Sequence, residues 1–147
     1  MTADRPAVLP PVLFVCTMNA VRSPMAAALL AHLTGAHAVS AGVVAGEADP
    51  MTAEVMAERG LDISGHVPRR LKDMEPGGFA LVIALSQEAE EEARGWAAGA
   101  SVSVEYWPVA DPTLAEGSRA QRQAAYRAVR DQLAGALARR FLGEKAP

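Results

Sequence analysis

Apolar residues along this chain fall into two kinds of pattern. Val12-Leu13-Phe14-Val15 is a short unbroken apolar run, and Phe79 to Leu85 is a longer one. Such runs, bounded by polar or turn residues, suit strands buried on both faces of a parallel sheet. Ala38 to Val44 and Val102 to Trp107 are mixed but strand-like, the latter closed by Pro108. Between the runs, apolar positions recur every three or four residues, the spacing of a helix with one buried face. Tyr126, Val129, Leu133, Leu137 and Phe141 form such a stripe on a helix expected from about Ser118 to Leu142.

Start and stop residues sharpen the helices. Ser23 is the expected cap of a helix whose first position is Pro24, where the missing N–H is harmless. Asp49-Pro50 opens a second helix that turns Val55 and Met56 inward, and Gly60 closes it. Ser86 caps a third, which carries Glu88, Glu90, Glu91 and Glu92 near the positive end of its dipole. Strand and helix alternate, with no internal repeat and no linker. The expected fold is therefore α/β: a single three-layer domain, its central and mostly parallel sheet of about four strands flanked by helices. Residues 1–11, polar and proline-rich, are expected to be a flexible tail, and residues 12–147 the domain. Cys16, Ser86 and Asp111 each follow a strand, so they should gather at one sheet edge, where such folds bind ligands.

Composition narrows the function classes. The 147 residues fit one domain with a substantial core. Half are hydrophobic but only 5% aromatic, so Val, Leu, Ala and Met must fill the interior. A net charge of −3 disfavours non-specific binding to nucleic acid or an anionic membrane. One cysteine precludes an internal disulfide or a multi-cysteine zinc site and fits a reducing, cytoplasmic setting. The apolar run from Val8 to Val15 is broken by Pro10 and Pro11 and too short to span a bilayer; it does not read as a signal peptide.

The single cysteine sits where chemistry is expected. Cys16-Thr17-Met18-Asn19-Ala20-Val21-Arg22-Ser23-Pro24 links a buried strand to a helix start, with arginine six positions after cysteine. Backbone N–H groups of such a loop can surround an oxyanion, and the helix N-terminus adds unpaired donors. Arg22 can hold two phosphate oxygens with its planar fork. The same positive surroundings favour thiolate over thiol at Cys16, and Ser23 can donate to that thiolate. A thiolate beneath a cradled phosphate is set for in-line attack. An ester leaving group then needs a proton donor near its oxygen.

The segment VLFVCTMNAVRSPMA, Val12 to Ala26, resembles the signature of the low-molecular-weight protein tyrosine phosphatase family. The likeness continues through Ser40-Ala41-Gly42, the basic loop with His66, Phe79 to Leu85, and Asp111-Pro112. It implies phosphate-monoester hydrolysis, with protein phosphotyrosine foremost, through a cysteinyl-phosphate and without cofactor or metal. Cys16 would be the nucleophile and Arg22 the phosphate and transition-state ligand. Asp111 would be the general acid and later the base. Thr17, Met18, Asn19, Ala20 and Val21 would form the phosphate loop. Asn19 would brace it in a left-handed conformation, Ser23 would tune the thiolate, and Ser40 and His66 would hydrogen-bond around Asn19. The implied partners are a phosphorylated protein or small phosphate ester, with inorganic phosphate or another oxyanion in the loop.

Several positions depart from the family pattern. Met18 stands where glycine is usual, and Val21 where a second cysteine is common. Ala80 replaces a frequent aspartate. Thr113 and Leu114 follow Asp111-Pro112, and Gly42 to Pro50 holds no aromatic residue, so the usual walls of a phosphotyrosine slot are missing. Related phosphoarginine phosphatases carry threonine at the position of Ala20. Two alternatives follow: an arsenate reductase-like enzyme drawing on external thiols, and a non-catalytic oxyanion- or phosphoprotein-binding module. Arg69 and Arg70 read as a solvated basic patch.

Overall fold

The computed structural model describes residues 10–143. Residues 1–9, most of the expected tail, lie outside the described residues, as do 144–147. Strands β1 (Val12–Cys16), β2 (Ala38–Gly42), β3 (Leu81–Ala84) and β4 (Ser103–Tyr106) form one sheet in the order β2-β1-β3-β4. Every pairing is parallel, with Cys16 opposite Gly42 and Val15 opposite Ala84.

Leu13, Phe14 and Val15 are wholly buried because alternate side chains of β1 enter two separate cores. Val12, Phe14 and Cys16 face helices α1 (Arg22–Thr34), α2 (Pro50–Ala57) and α4 (Arg119–Leu137), through Leu29, Leu30, Met56, Leu133 and Leu137. Leu13 and Val15 face α3 (Gln87–Ala97) through Ala89 and Ala93. Each large side chain so buried is worth roughly 1.5–3 kcal/mol, so a strand walled on both sides favours an unbroken apolar run.

The expected elements are present, with adjustments: β3 and β4 are shorter than the runs Phe79 to Leu85 and Val102 to Trp107 that hold them, and three other elements differ. β2 ends at Gly42 because β1 has ended opposite it; Val43 and Val44 instead follow the loop leaving β1. α4 stops at Leu137 and passes into a π-helical turn, Ala138–Leu142, which leaves Phe141 only half-buried at the end of its stripe. Helix α1 begins at Arg22, its cap position Val21 makes no side-chain bond, and Ser23 lies inside the first turn. The caps at Asp49 and Ser86 are formed as expected, accepting from the N–H groups of Met51 and Ala89. Gly60, at φ +75°, closes α2: its N–H reaches Ala57 O while that of Leu61 reaches Met56 O. Only a left-handed residue permits that paired closure easily.

Candidate active site

The loop between β1 and α1 is shaped by where its carbonyls go. Cys16 O accepts from Val43 N–H at 3.0 Å, Thr17 O from Val44 N–H at 2.9 Å and Met18 O from Gly46 N–H at 2.9 Å. Asn19 O accepts from His66 Nε2 at 2.7 Å, which sets the proton on that ring nitrogen. In a trans peptide the N–H points opposite to the C=O. Four successive carbonyls tied to the flanking segments therefore turn the N–H groups of Thr17, Met18, Asn19 and Ala20 to the loop's other side. Those of Met18, Asn19, Ala20 and Val21 have no acceptor among the described residues. The result is a concave set of donors at a helix N-terminus, an anion cradle. Gly42 permits it: a Cβ there would collide with Val44 O and lie 2.8 Å from Asn19 N.

Asn19 and Ser23 tie the cradle together. Asn19 is the one non-glycine residue at positive φ, +55°, among the described residues. Its side chain is fully buried, with Nδ2 donating to Ser23 Oγ at 2.9 Å and Oδ1 accepting from Arg69 N–H at 2.9 Å. These bonds hold a conformation that asparagine tolerates better than most residues. Ser23 Oγ lies 2.9 Å from Cys16 Sγ and 3.2 Å from Ala41 O. The Ser23 hydroxyl is thus occupied inside the loop rather than capping α1, which corrects the expected cap.

His66 meets Asn19 through the latter's backbone carbonyl. Ser40, expected beside it, makes no bond to Asn19. Its carbonyl instead accepts from Arg69 Nε at 3.0 Å, so Arg69 spans the gap between them. Arg69 is therefore more than a solvated charge, while Arg70 pairs with Asp73 on the surface. The sequence carries no signal for the Arg69 contact to Asn19, because a backbone N–H belongs to every residue type. Thr17 Oγ1 lies 3.0 Å from Ser86 Oγ, the hydroxyl that caps α3, and so fastens the loop to the start of that helix.

Arg22 and Asp111 converge on the thiol side. Arg22 is buried, its Nη1 donating to Val109 O at 3.0 Å, and its Nη2 lies 3.9 Å from Asp111 Oδ2. Asp111 Oδ1 already accepts from Thr113 N–H and Thr113 Oγ1, at 3.0 and 2.7 Å. That leaves Oδ2 turned toward Arg22. Cys16, Met18, Ala20, Val21, Arg22, Asp111 and Thr113 line one cavity of about 40 Å³. Thiol, guanidinium and carboxyl thus share a single hollow, at the sheet edge expected for it.

Outside the cavity, Tyr126 donates to Asp49 Oδ2 at 2.6 Å while Asp49 Oδ1 caps α2. Burial, reinforced by Asp49, pushes the Tyr126 phenol well above its usual range, so it stays protonated as that donor. A larger cavity of about 350 Å³, lined by Ala20, Asp49, Thr52, Ile63 and His66 among others, adjoins the loop from this side.

A model of the family described as low molecular weight phosphotyrosine protein phosphatase matches residues 11–144. A Ralstonia nicotianae protein, "Probable low molecular weight protein-tyrosine-phosphatase EpsP", is 39% identical over 111 residues, covering 69% of this chain and 77% of that one. An arsenate reductase of Shouchella clausii is 30% identical over 130 residues, covering 87% and 91%. Among solved structures, an arginine phosphatase from Geobacillus stearothermophilus superposes with a TM-score of 0.73 at 27% identity, covering 93% of this chain and 98% of that one.

Proposed function

This chain belongs to the low molecular weight phosphotyrosine protein phosphatase family, and from that premise we propose that it hydrolyses phosphate monoesters, foremost protein phosphotyrosine, through a cysteinyl-phosphate on Cys16. The observation that carries this is the shared cavity: Cys16, Arg22 and Asp111 line it, and the loop N–H groups turn away from carbonyls that are already bonded. Binding an oxyanion needs neither a nucleophile nor an acid, so the three together favour catalysis over a purely binding role.

The proposed steps use the groups that line this cavity. Loop N–H groups and Arg22 hold the non-bridging phosphate oxygens, and their fixed donors stabilise the charge spread over them in the transition state. The Cys16 thiolate attacks phosphorus, forming S–P as the bond to the leaving oxygen breaks. Asp111 Oδ2 gives its proton to that oxygen, and the alcohol or phenol departs. Asp111, now ionised, takes a proton from water, whose oxygen attacks phosphorus. The S–P bond breaks, Cys16 leaves as thiolate with Ser23 Oγ–H donating to it, and phosphate is released.

The test is hydrolysis of p-nitrophenyl phosphate by wild type, Cys16→Ser and Asp111→Asn, with phosphate binding measured alongside. Turnover by wild type, abolished in Cys16→Ser with phosphate still bound, is expected. No turnover by a wild type that binds phosphate would overturn the enzyme reading in favour of a binding module.

A second reading, arsenate reduction, is motivated by the likeness to the Shouchella clausii protein over most of both chains. Cys16 is the only thiol in the 147 residues, so the electrons would have to come from an external thiol. Arsenate-dependent oxidation of an added thiol measures that route directly.

A further inference from the structure

The side chain at the mouth of the cavity points to a substrate class. Met18 is half exposed, at 51%, yet it lines the same hollow as Cys16 and Arg22. It is not loose on the surface. Its side chain lies over Gly46, where an added Cβ would come within 3.1 Å of both Met18 Cβ and Met18 Cε. The backbones are joined at the same place by the bond from Gly46 N–H to Met18 O, at 2.9 Å. A bare glycine thus provides the seat on which this methionine rests. Val44, beside the loop, and Leu114, in the turn carrying Asp111, are also large, apolar and exposed. No aromatic residue lines the cavity, and its other apolar linings, Ala20 and Val21, are short.

We infer that Met18, seated on Gly46, is a specificity-determining wall whose thioether receives the face or edge of an aryl group carried by the bound phosphate. A polarisable, unbranched side chain adapts to an irregular gap and favours contact with aromatic rings. Met18 therefore supplies from the phosphate loop itself the flat apolar contact that aromatic side chains would otherwise provide. Short ring-free esters reach the same cradle without touching it. This deepens the phosphatase reading and rests on it for the identity of the site, but it is testable without turnover.

The experiment measures binding of phenylphosphonate and methylphosphonate, which cannot be hydrolysed, by calorimetry on the full chain. The readout is the ratio of the two affinities, which cancels any change in the phosphate cradle itself. Wild type should prefer phenylphosphonate, and Met18→Gly should cut that preference roughly two- to tenfold, the span expected of a sulfur–aromatic contact. Met18→Leu should keep part of it. Gly46→Ala, which crowds the seat without touching the ligand, should lower it in the same direction. A ratio unchanged or raised in Met18→Gly would overturn the inference, since Met18 would then be idle or an obstruction. Equal affinity of wild type for the two phosphonates would overturn it as well. Failure of the phosphatase reading appears separately, as absent turnover with a ratio that still responds to Met18.

Discussion

Cys16 Sγ and Ser23 Oγ lie 2.9 Å apart inside the loop, and the Ser23 hydroxyl has one proton for two acceptors. It can donate to Ala41 O at 3.2 Å or to the sulfur, while Asn19 Nδ2 donates to its oxygen at 2.9 Å. When Cys16 is a thiolate, the charged sulfur is the stronger acceptor and the shorter contact. Ser23→Ala removes a hydrogen bond to a charged group, worth about 1.5–3 kcal/mol, so kcat should fall roughly ten- to a hundredfold. Alkylation of Cys16 by iodoacetamide at mildly acid pH should slow with it. Unchanged kcat and alkylation rate would show that the contact is only packing.

Asp111→Asn tests the proton donor. Thr113 N–H and hydroxyl both bond Oδ1, so an amide can keep its oxygen there and preserve the turn. What it loses is the acid at Oδ2. The rate of ester cleavage should drop by about 10²- to 10⁴-fold, the usual worth of general acid catalysis. The loss should be larger for phenyl phosphate than for p-nitrophenyl phosphate, whose leaving group needs less help. Equal losses on the two esters would mean that Asp111 acts by shape rather than by proton transfer.

The lone thiol sets the response to oxidation. A sulfenic acid on Cys16 finds no second cysteine in the chain, since Val21 stands in the loop where one could trap it as a disulfide. Further oxidation to sulfinic acid is then the open course. After a limited peroxide pulse and thiol treatment, wild type should regain less activity than Val21→Cys, with Cys16 found as sulfinic acid by mass spectrometry. Full recovery of wild type would contradict this.

What the sequence made legible was local. The apolar run of β1 and the spacing from Cys16 to Arg22 each lie within a few residues, and the structure builds a wholly buried strand and a single cavity from them. Ser23 carries two expectations, a cap for α1 and a donor to the Cys16 sulfur, because Ser-Pro at a helix start suits both; the fold keeps the contact to Cys16 and not the cap. The contact from Arg69 to Asn19 spans 50 positions and uses a backbone N–H, which no residue pattern can report. Met18 was visible as a departure, but its seat on Gly46 depends on how the segment after β2 returns over the loop.

Acid stability should depend on Glu58, which joins α2 to α4. Arg127, and after it Arg130, hold its carboxylate down from the usual 4.5 to about 2. A carboxylate with a lowered folded-state pKa adds stability that is complete above its ordinary value and lost as pH falls through the folded one. The window is therefore pH 4.5 down to about 2. Glu58→Gln lacks this component, so its thermal midpoint should fall less steeply than that of wild type across that window. Parallel curves for the two proteins would show that the cluster contributes no pH-dependent stability.

Thr52 offers the opposite case, a polar group that the fold leaves without a partner. It sits on α2 at 1% exposure, and its hydroxyl is the buried side-chain polar atom with no hydrogen bond among the described residues. An unsatisfied buried hydroxyl costs about 1–3 kcal/mol of lost solvation. Valine has the same branched shape and nearly the same helix propensity, so Thr52→Val removes that cost with little change in packing or backbone preference. For a domain of this size the melting temperature should rise by about 2–4 °C per kcal/mol recovered. Thr52→Ser, which keeps the hydroxyl and loses the methyl group, should melt lower than wild type. A drop in Thr52→Val instead would mean that the hydroxyl is bonded in solution.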